Sequence, residues 1–203
     1  KALELSMFLS LPASVALIVG SEQIISALFG YGSFDELSVS NSANALYYFG
    51  LGLPAFALIK VFSTFFFANQ DTKTPFYISL FSVILNILIS VYFFREIGFI
   101  IIPIATTISS WFNAIILFVY LKNKDLFNFN ELFFAKLTKI LLASILMGIF
   151  FNYLILFFQN KLIYEYNFKS FYLILSAFLS LIFYLSFSLF IKAFKYGDIK
   201  LKY

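Results

Sequence analysis

Two stripes of polar residues, both inside apolar segments, are the first candidates for chemistry. The first stripe has spacings of three, seven and eleven residues, and the second has spacings of four and seven, so each occupies one helical face. The first consists of Ser79, Ser82, Asn86 and Ser90, and the second of Thr106, Ser110 and Asn113. Polar groups that face lipid lack partners, so we expect the stripes to face each other or a wet cavity.

These neutral side chains leave two interpretations open. The favoured one is hydrogen bonding between two packed helices, and the other is a cavity wall or a weak cation site made of neutral oxygens. Neither stripe contains a carboxylate, which argues against a dedicated ion site. The sequence has no His and no Cys, which excludes Ser-His and Cys-His nucleophile pairs, imidazole metal ligands and disulfides. We therefore expect no catalytic residue, no metal and no cofactor.

A third set of candidates lies between Gly50 and Pro75. Pro54 removes a backbone hydrogen bond and predicts a kink, and Gly50 and Gly52 permit close approach, so these three residues form a predicted hinge. Lys60 lies about ten residues before Asp71, roughly 10–15 Å inside the cytoplasmic boundary of the membrane. Its side chain either snorkels to that boundary or faces a cavity and contacts an anion.

The same segment ends in a predicted cytoplasmic hairpin. Asp71 and Thr72 are typical turn residues, and Lys73 would anchor the loop on the inner side. Thr74 followed by Pro75 fits a helix N-cap with proline at the first helical position.

The elements that position these residues must be membrane helices. The chain has 203 residues, of which 62% are hydrophobic and 12% are charged, and a soluble core of this size has no room for so much apolar surface. Six apolar runs are about long enough to cross a bilayer. They span residues 5–29, 43–68, 74–94, 98–121, 140–160 and 171–193. The fold class is therefore an all-α, polytopic bundle of six transmembrane helices.

Basic residues fix the expected orientation of the bundle. With both ends cytoplasmic, the inner side holds Lys1, Lys73, Lys122, Lys124, Lys136, Lys139, Lys192, Lys195, Lys200 and Lys202. The outer side then holds only Arg95, Lys161 and Lys169. This bias follows the positive-inside rule and predicts cytoplasmic ends. The net charge of +4 indicates a basic face that meets anionic lipid, and not nucleic-acid binding.

The remaining helices carry weaker signals. The first contains Pro12, a row of small hydroxyl residues on one face and, at its outer end, Glu22 and Gln23. A hydrated helix end is the favoured interpretation of Glu22 over a functional carboxylate. The row consists of Ser6, Ser10 and Ser14, and similar rows in the last two helices consist of Ser144, Gly148 and Asn152 and of Ser176, Ser180, Tyr184 and Ser188. The last two helices are expected to pack at the periphery.

Three stretches of the sequence together resemble one family, the lipid II flippases (MurJ/MviN). They read LSLPASVALIVGSEQIISALFGYGSFD, GLPAFALIKVFSTFFFANQDTKTP and ATTISSWFNAIILF, and they cover about the first 120 residues in the family's order and spacing. Tyr31 departs from the pattern, since relatives often have a basic residue there, and residues 100–103 replace a segment usually richer in Gly and Ala.

The resemblance implies the fourteen-helix fold of the multidrug/oligosaccharidyl-lipid/polysaccharide exporters. Residues 1–122 would complete the C-terminal lobe as helices nine to twelve, and residues 123–203 would add two helices that form a groove for the lipid tail. The chain would then be a fragment whose missing N-terminal half carries the family's functional charges. The implied substrate is lipid II or a related undecaprenyl-pyrophosphate-linked precursor, moved across the bacterial inner membrane by alternating access. A flippase for another polyprenyl-linked glycan, a non-transporting scaffold and, least favoured, a membrane enzyme remain alternatives.

Overall fold

The protein is a bundle of helices throughout the residues that the computed structural model describes. These are residues 2–124 and 131–193, with only the backbone given for residues 131 and 132. Lys1, Lys195, Lys200 and Lys202, which contribute to the predicted orientation, lie outside the described residues. The helices are α1 (Ala2–Val19), α2 (Ser21–Phe29), α3 (Glu36–Ala68), α4 (Lys73–Ile97), α5 (Ile101–Asn123), α6 (Glu131–Phe157), α7 (Gln159–Leu162) and α8 (Lys169–Phe190).

Within the described residues, five segments are long and apolar enough to span a membrane, and one of them contains two spans. The segment Lys73–Asn123 has 51 residues, about 75 Å of helix, which exceeds a hydrocarbon core of about 30 Å. It consists of α4 and α5, which pack on each other across a turn at residues 98–100. Gly98 has φ of 73°, a left-handed conformation that favours glycine and lets the chain reverse. The six predicted membrane helices are thus α1, α3, α4, α5, α6 and α8.

Two of the predicted helix boundaries are wrong. The first predicted run divides at Gly20 into α1 and α2. A Cβ atom on Gly20 would lie 2.6 Å from the ring of Phe151, so the division occurs where α6 approaches closely. The second run begins seven residues earlier than predicted, at Glu36, because the Asp35 side chain accepts a hydrogen bond of 2.9 Å from the Ser38 amide and caps the helix.

The core of the bundle is centred on α3. This helix packs against α1 on one side and α5 on the other, α4 covers α5, α6 covers α1, and α8 covers α6. Buried side chains of α1, α3, α4 and α5 form one apolar cluster, which consists of Leu3, Phe62, Phe66, Ile78, Leu117 and Leu121. We call the end of the bundle with residues 69–72 the hairpin end, and the opposite end, with residues 20–35 and 158–168, the loop end.

Two ion pairs hold the hairpin end together. Lys124 Nζ lies 2.7 Å from Asp71 Oδ2 and joins the α3–α4 hairpin to the end of α5, and Lys136 Nζ lies 2.9 Å from Glu4 Oε2 and joins α6 to α1. The bond from Lys124, together with those from Thr74, holds the pKa of Asp71 well below its usual range. Residues predicted to share the cytoplasmic side thus do lie at one end of the bundle.

The predicted cap of α4 is wrong by two residues. The helix begins at Lys73 with Thr72 as its N-cap, so Pro75 is its third residue. Asp71 supplies the bonding that Thr74 was expected to supply, since its carboxylate accepts from the Thr74 amide at 3.0 Å and from the Thr74 hydroxyl at 2.8 Å. A carboxylate next to a helix start also meets the positive end of the helix dipole.

A buried lysine holds the loop end together. Lys169 has no exposed surface, and its ammonium donates 2.6 Å hydrogen bonds to the carbonyls of Gly30 and Tyr164. The same ammonium lies 4.3 Å from the ring centroid of Tyr31 and 4.5 Å from that of Tyr164. Ser170 adds a 2.6 Å bond to the Ala27 carbonyl. Carbonyl dipoles and ring faces compensate the buried charge, and together they attach α8 to the end of α2.

Candidate functional site

The two polar stripes meet between α4 and α5. The amide of Asn86 donates to Thr106 Oγ1 at 3.0 Å and reaches Ser109 Oγ at 3.4 Å. The amide of Asn113 donates to Ser79 Oγ at 3.3 Å. The favoured interpretation of these stripes, hydrogen bonding between two packed helices, therefore describes the observed contacts.

The stripes also line an open cavity of about 300 Å³. Phe56 and Ile59 of α3 form its third wall, so the cavity lies where α3, α4 and α5 converge. Its polar lining consists of Ser79, Ser82, Asn86, Thr106, Ser109, Ser110 and Asn113. All of these side chains are neutral, and in the described part of the chain no group of three or more His, Cys, Asp or Glu residues could hold a metal ion.

Part of the hydrogen-bonding capacity near this cavity is unused. The side-chain carbonyl of Asn113 is buried and has no hydrogen-bond partner among the described residues, and the same is true of the Ser90 hydroxyl. Ser82 and Ser110 instead bond to carbonyls of their own helices, at 2.9 Å and 2.6 Å. Asn113 therefore retains one unused hydrogen-bond acceptor in the wall of the cavity.

Two of the predicted cavity residues do not line this cavity. Ser90 lies on the α4 stripe beyond the end of the cavity lining. Lys60 is exposed on α3, one helical turn from Phe56 and on a neighbouring part of the same face. The structure therefore brings Ser82, Asn86, Thr106, Ser110 and Asn113 together and leaves the lysine at the rim of the α3 wall.

The predicted hinge in α3 is a proline within a continuous helix. Because Pro54 has no N–H, the carbonyl of Gly50, four residues earlier, has no helical donor. Ser14 of α1 supplies the missing bond, with its hydroxyl 2.7 Å from the Gly50 oxygen. Gly50 and Gly52 are buried, and a Cβ on Gly52 would lie 3.0 Å from Thr107 Oγ1, so the backbone of α3 approaches both neighbouring helices closely.

Helix α5 contacts the same part of α3 through two further bonds. Thr107 Oγ1 donates to the Tyr48 carbonyl at 2.6 Å, and the Trp111 indole donates to the Leu51 carbonyl at 3.1 Å. Three side chains from two helices thus bind three carbonyls just before the proline, those of Tyr48, Gly50 and Leu51. None of the three was predicted from the sequence to act here. The sequence signal for Thr107 and Trp111 is their spacing of four residues, which places them on one face of α5.

Two apolar clefts flank α6. One, of about 370 Å³, lies between α6 and the surfaces of α1, α3 and α5, and its lining includes Pro54, Trp111 and Phe133. The other, of about 290 Å³, lies between α1, α6 and α8 and is lined by Pro12, Met147 and Leu181 among others. Both have walls suited to a hydrocarbon chain. The second cleft is thus lined by both of the last two long helices, α6 and α8, together with α1.

Comparison with known proteins gives a consistent result. A family model described as lipid II flippase MurJ matches residues 1–173. A probable lipid II flippase MurJ of Rickettsia prowazekii is 35% identical over 148 residues, which cover 73% of this chain and 29% of the relative. A probable lipid II flippase MurJ of Thermotoga maritima is 37% identical over 143 residues, which cover 70% of this chain and 28% of the relative.

A solved structure shows the same similarity in three dimensions. It is titled lipid II flippase MurJ, inward closed conformation. The match covers 94% of this chain and 38% of the solved chain, with a TM-score of 0.75 and 25% sequence identity. The chain spans less than a third of the length of the curated relatives above.

Proposed function

The chain belongs to the lipid II flippase MurJ family, and we propose that it is the C-terminal part of a transporter that moves lipid II across the bacterial inner membrane. Such movement needs no covalent chemistry, only different binding of the substrate in inward-open and outward-open states. The described chain is a multi-pass helical membrane protein of the MurJ fold. The remaining helices of the transporter would come from the missing N-terminal half.

The observation that carries the proposal furthest is the polar cavity where α3, α4 and α5 converge. Its neutral donors and acceptors can bind a glycosyl or peptide headgroup without holding it as tightly as charges would. The free acceptor on Asn113 is suited to a hydroxyl or amide donor. In this proposal Ser82, Asn86, Thr106, Ser110 and Asn113 face the substrate path, and Ser90 supports α4 outside it.

Pro54 would allow α3, which forms one wall of this cavity, to bend. A helix without the bond from residue 54 to Gly50 bends more easily, and the Ser14 and Trp111 side chains can bind the Gly50 and Leu51 carbonyls in one state and release them in another. Gly50 and Gly52 would keep steric resistance low. The hinge thus connects cavity shape to the packing of α1 and α5.

Lys60 would present a positive field to the pyrophosphate of the substrate. It is exposed on the face of α3 next to the cavity wall, and its ammonium has no hydrogen-bond or ion-pair partner among the described residues.

Residues 1–122 would complete the C-terminal lobe, and residues 123–203 would supply the extra helices. The apolar clefts on either side of α6 are the candidate sites for the undecaprenyl tail.

The orientation proposed here has both ends of the chain cytoplasmic. The hairpin end, with Asp71, Thr72, Lys73 and Pro75, would then face the cytoplasm and its anionic lipids. Lys122 lies in the last turn of α5, and Lys136 and Lys139 lie within the first three turns of α6 at this same end, in agreement with the positive-inside rule.

Depletion of the resident flippase in a bacterium tests the proposal. The full-length protein should restore growth and lower the pool of lipid-linked precursor that accumulates in the inner leaflet. Failure to do so at normal protein level would contradict the proposal. In the same strain, Lys60→Ala should reduce complementation, whereas the control Lys192→Ala, an exposed lysine at the hairpin end, should not. Unchanged growth with Lys60→Ala would exclude the role proposed for this lysine.

A further inference from the structure

A second polar cavity lies at the loop end of the bundle. It has a volume of about 600 Å³ and is formed by the start of α2, the start of α3 and the segment that joins α6 to α8. Its polar lining includes Glu22, Gln23, Ser26, Glu36, Ser40 and Gln159. It shares no lining residue with the cavity between α4 and α5.

The charge of this cavity is not compensated by its own lining. Glu22 and Glu36 are acidic, and the lining contains no Lys or Arg. The two nearby lysines of the loop end have other partners. Lys161 Nζ lies 3.3 Å from the Tyr166 hydroxyl and over its ring, and Lys169 donates to two carbonyls. Two carboxylates are thus available to a cation.

Ser26 provides a second and independent observation. This residue lies on the wall of the cavity and is only 6% exposed, and its buried hydroxyl has no hydrogen-bond partner among the described residues. A serine inside a helix ordinarily bonds to the carbonyl four residues earlier, which here belongs to Glu22. A buried hydroxyl without a partner is unfavourable, and a ligand with N–H groups would relieve this.

The shape and lining of the cavity favour an organic cation over a metal ion. The cavity is many times larger than a hydrated ion needs, and in the described part of the chain no three acidic or metal-binding side chains come together. Val39, Leu156 and Ile163 give it an apolar side. We propose that this cavity binds a primary ammonium group carried on a short apolar chain.

An ammonium has three donors, and the cavity offers matching acceptors. Two carboxylates supply the charge, the amide oxygens of Gln23 and Gln159 supply neutral acceptors, and the apolar side contacts the alkyl chain. Two molecules present this chemistry at an outer membrane surface. One is a lipid with an ethanolamine headgroup, and the other is a peptide with a lysine-type side chain, such as the headgroup of the substrate, which rests on the proposed function.

The test uses the purified full-length protein and measures binding without transport. In the first arm, calorimetry compares a short peptide containing one lysine with the same peptide containing norleucine, which lacks only the ammonium. In the second arm, native mass spectrometry compares retention of phosphatidylethanolamine with that of phosphatidylglycerol. The variants are Glu22→Gln and Glu36→Gln, and the control is Glu96→Gln, an exposed acid at the loop end of α4 outside this cavity.

The proposal expects selective binding in at least one arm, and the arm identifies the source of the ammonium. Each cavity variant should weaken that binding about threefold to fivefold, the factor supplied by one partly exposed ion pair, and Glu96→Gln should not. Thermal unfolding shows that the variants are folded. Equal binding of the norleucine peptide and no lipid preference, or binding unchanged in both variants, would overturn the proposal. A protein that binds an ammonium but does not transport lipid II would contradict the proposed function alone.

Discussion

The bond from Ser14 to the Gly50 carbonyl makes a quantitative prediction. The perturbation is a double-mutant cycle with Ser14→Ala, Pro54→Ala and the combination in the full-length protein. Ser14→Ala removes the 2.7 Å bond and leaves a buried carbonyl without a side-chain donor, because Pro54 cannot supply a helical one. Pro54→Ala restores an N–H at position 54 that can donate to the same oxygen.

The expected energies follow from this exchange of donors. Hydrogen bonds between membrane helices contribute about 0.6 kcal/mol on average and up to about 1.7 kcal/mol. The Ser14 bond serves an otherwise unpartnered acceptor, so we expect Ser14→Ala to lower the free energy of unfolding by about 1–1.5 kcal/mol. In the Pro54→Ala background the same change should lower it by only about 0.3 kcal/mol. The coupling energy is then about 1 kcal/mol.

The assay is reversible unfolding in mixed micelles, followed by the fluorescence of Trp111 and by helical circular dichroism. Ser176→Ala is a matched control, since Ser176 is also buried but its hydroxyl bonds at 2.8 Å to Tyr172 O, a carbonyl of its own helix. Its effect should be small and should add to that of Pro54→Ala. Equal effects of Ser14→Ala in the two backgrounds would refute the reasoning, because the carbonyl would then not depend on Ser14.

Three further predictions concern the packing of the bundle. Lys169→Met should lower stability by about 2–3 kcal/mol, because two buried carbonyls lose a charged donor, whereas the exposed Lys161→Met should change the unfolding midpoint little. Gly148→Ala should lower stability by about 1–3 kcal/mol, because the new Cβ would clash with Cγ1 of Val15, and Val15→Ala in the same chain should recover much of the loss. Since the pKa of Asp71 is lower in the folded state than its ordinary 3.8, its contribution to stability is complete above about pH 5 and declines as pH falls further. The stability difference between wild type and Asp71→Asn, measured by thermal unfolding from pH 7 to pH 3, should therefore shrink only at the acidic end, and a constant difference would exclude the ion pair as its cause.

Hydrophobic length and helical spacing were sufficient to predict the class of fold and the α4–α5 contact. Six apolar runs correspond to six long helices, and residues at spacings of three, four and seven share a face whatever their neighbours are. The meeting of Asn86 with Thr106 follows from the same periodicity, because two polar faces in lipid have few partners other than each other.

Contacts that depend on how helices pack could not be predicted. Thr107 lies beside the predicted stripe residue Thr106 in sequence, but it points to α3 and bonds to a carbonyl, and no pattern in one sequence specifies which carbonyl is nearby. Asn152 continues the row of Ser144 and Gly148, yet it is exposed, whereas its neighbour Phe151 is buried and packs at Gly20. Close approach of two helices depends on the residues at each contact position, and helical spacing in the sequence alone does not predict it.

Lys169 shows a different limit of sequence reasoning. A lysine at the start of a membrane helix is ordinarily a surface charge, and the orientation rule treats it so. Its burial depends on Tyr31 and on the Gly30 carbonyl, which are about 140 residues away in the chain. Tyr31, in the loop after α2, contacts this basic residue with the face of its ring.

Transport by the purified full-length protein in liposomes most directly tests the central claim that the α3–α4–α5 cavity lies on the path of lipid II. A fluorescent lipid II is placed in the membrane, and a membrane-impermeant quencher measures the rate at which it reaches the outer leaflet. The account predicts transport above that of protein-free liposomes, slowed about tenfold or more by Asn86→Leu or Asn113→Leu and unchanged by Ser90→Ala, whose side chain lies outside the cavity lining. No transport by the wild-type protein, or equal rates for the folded cavity variants and wild type, would contradict it.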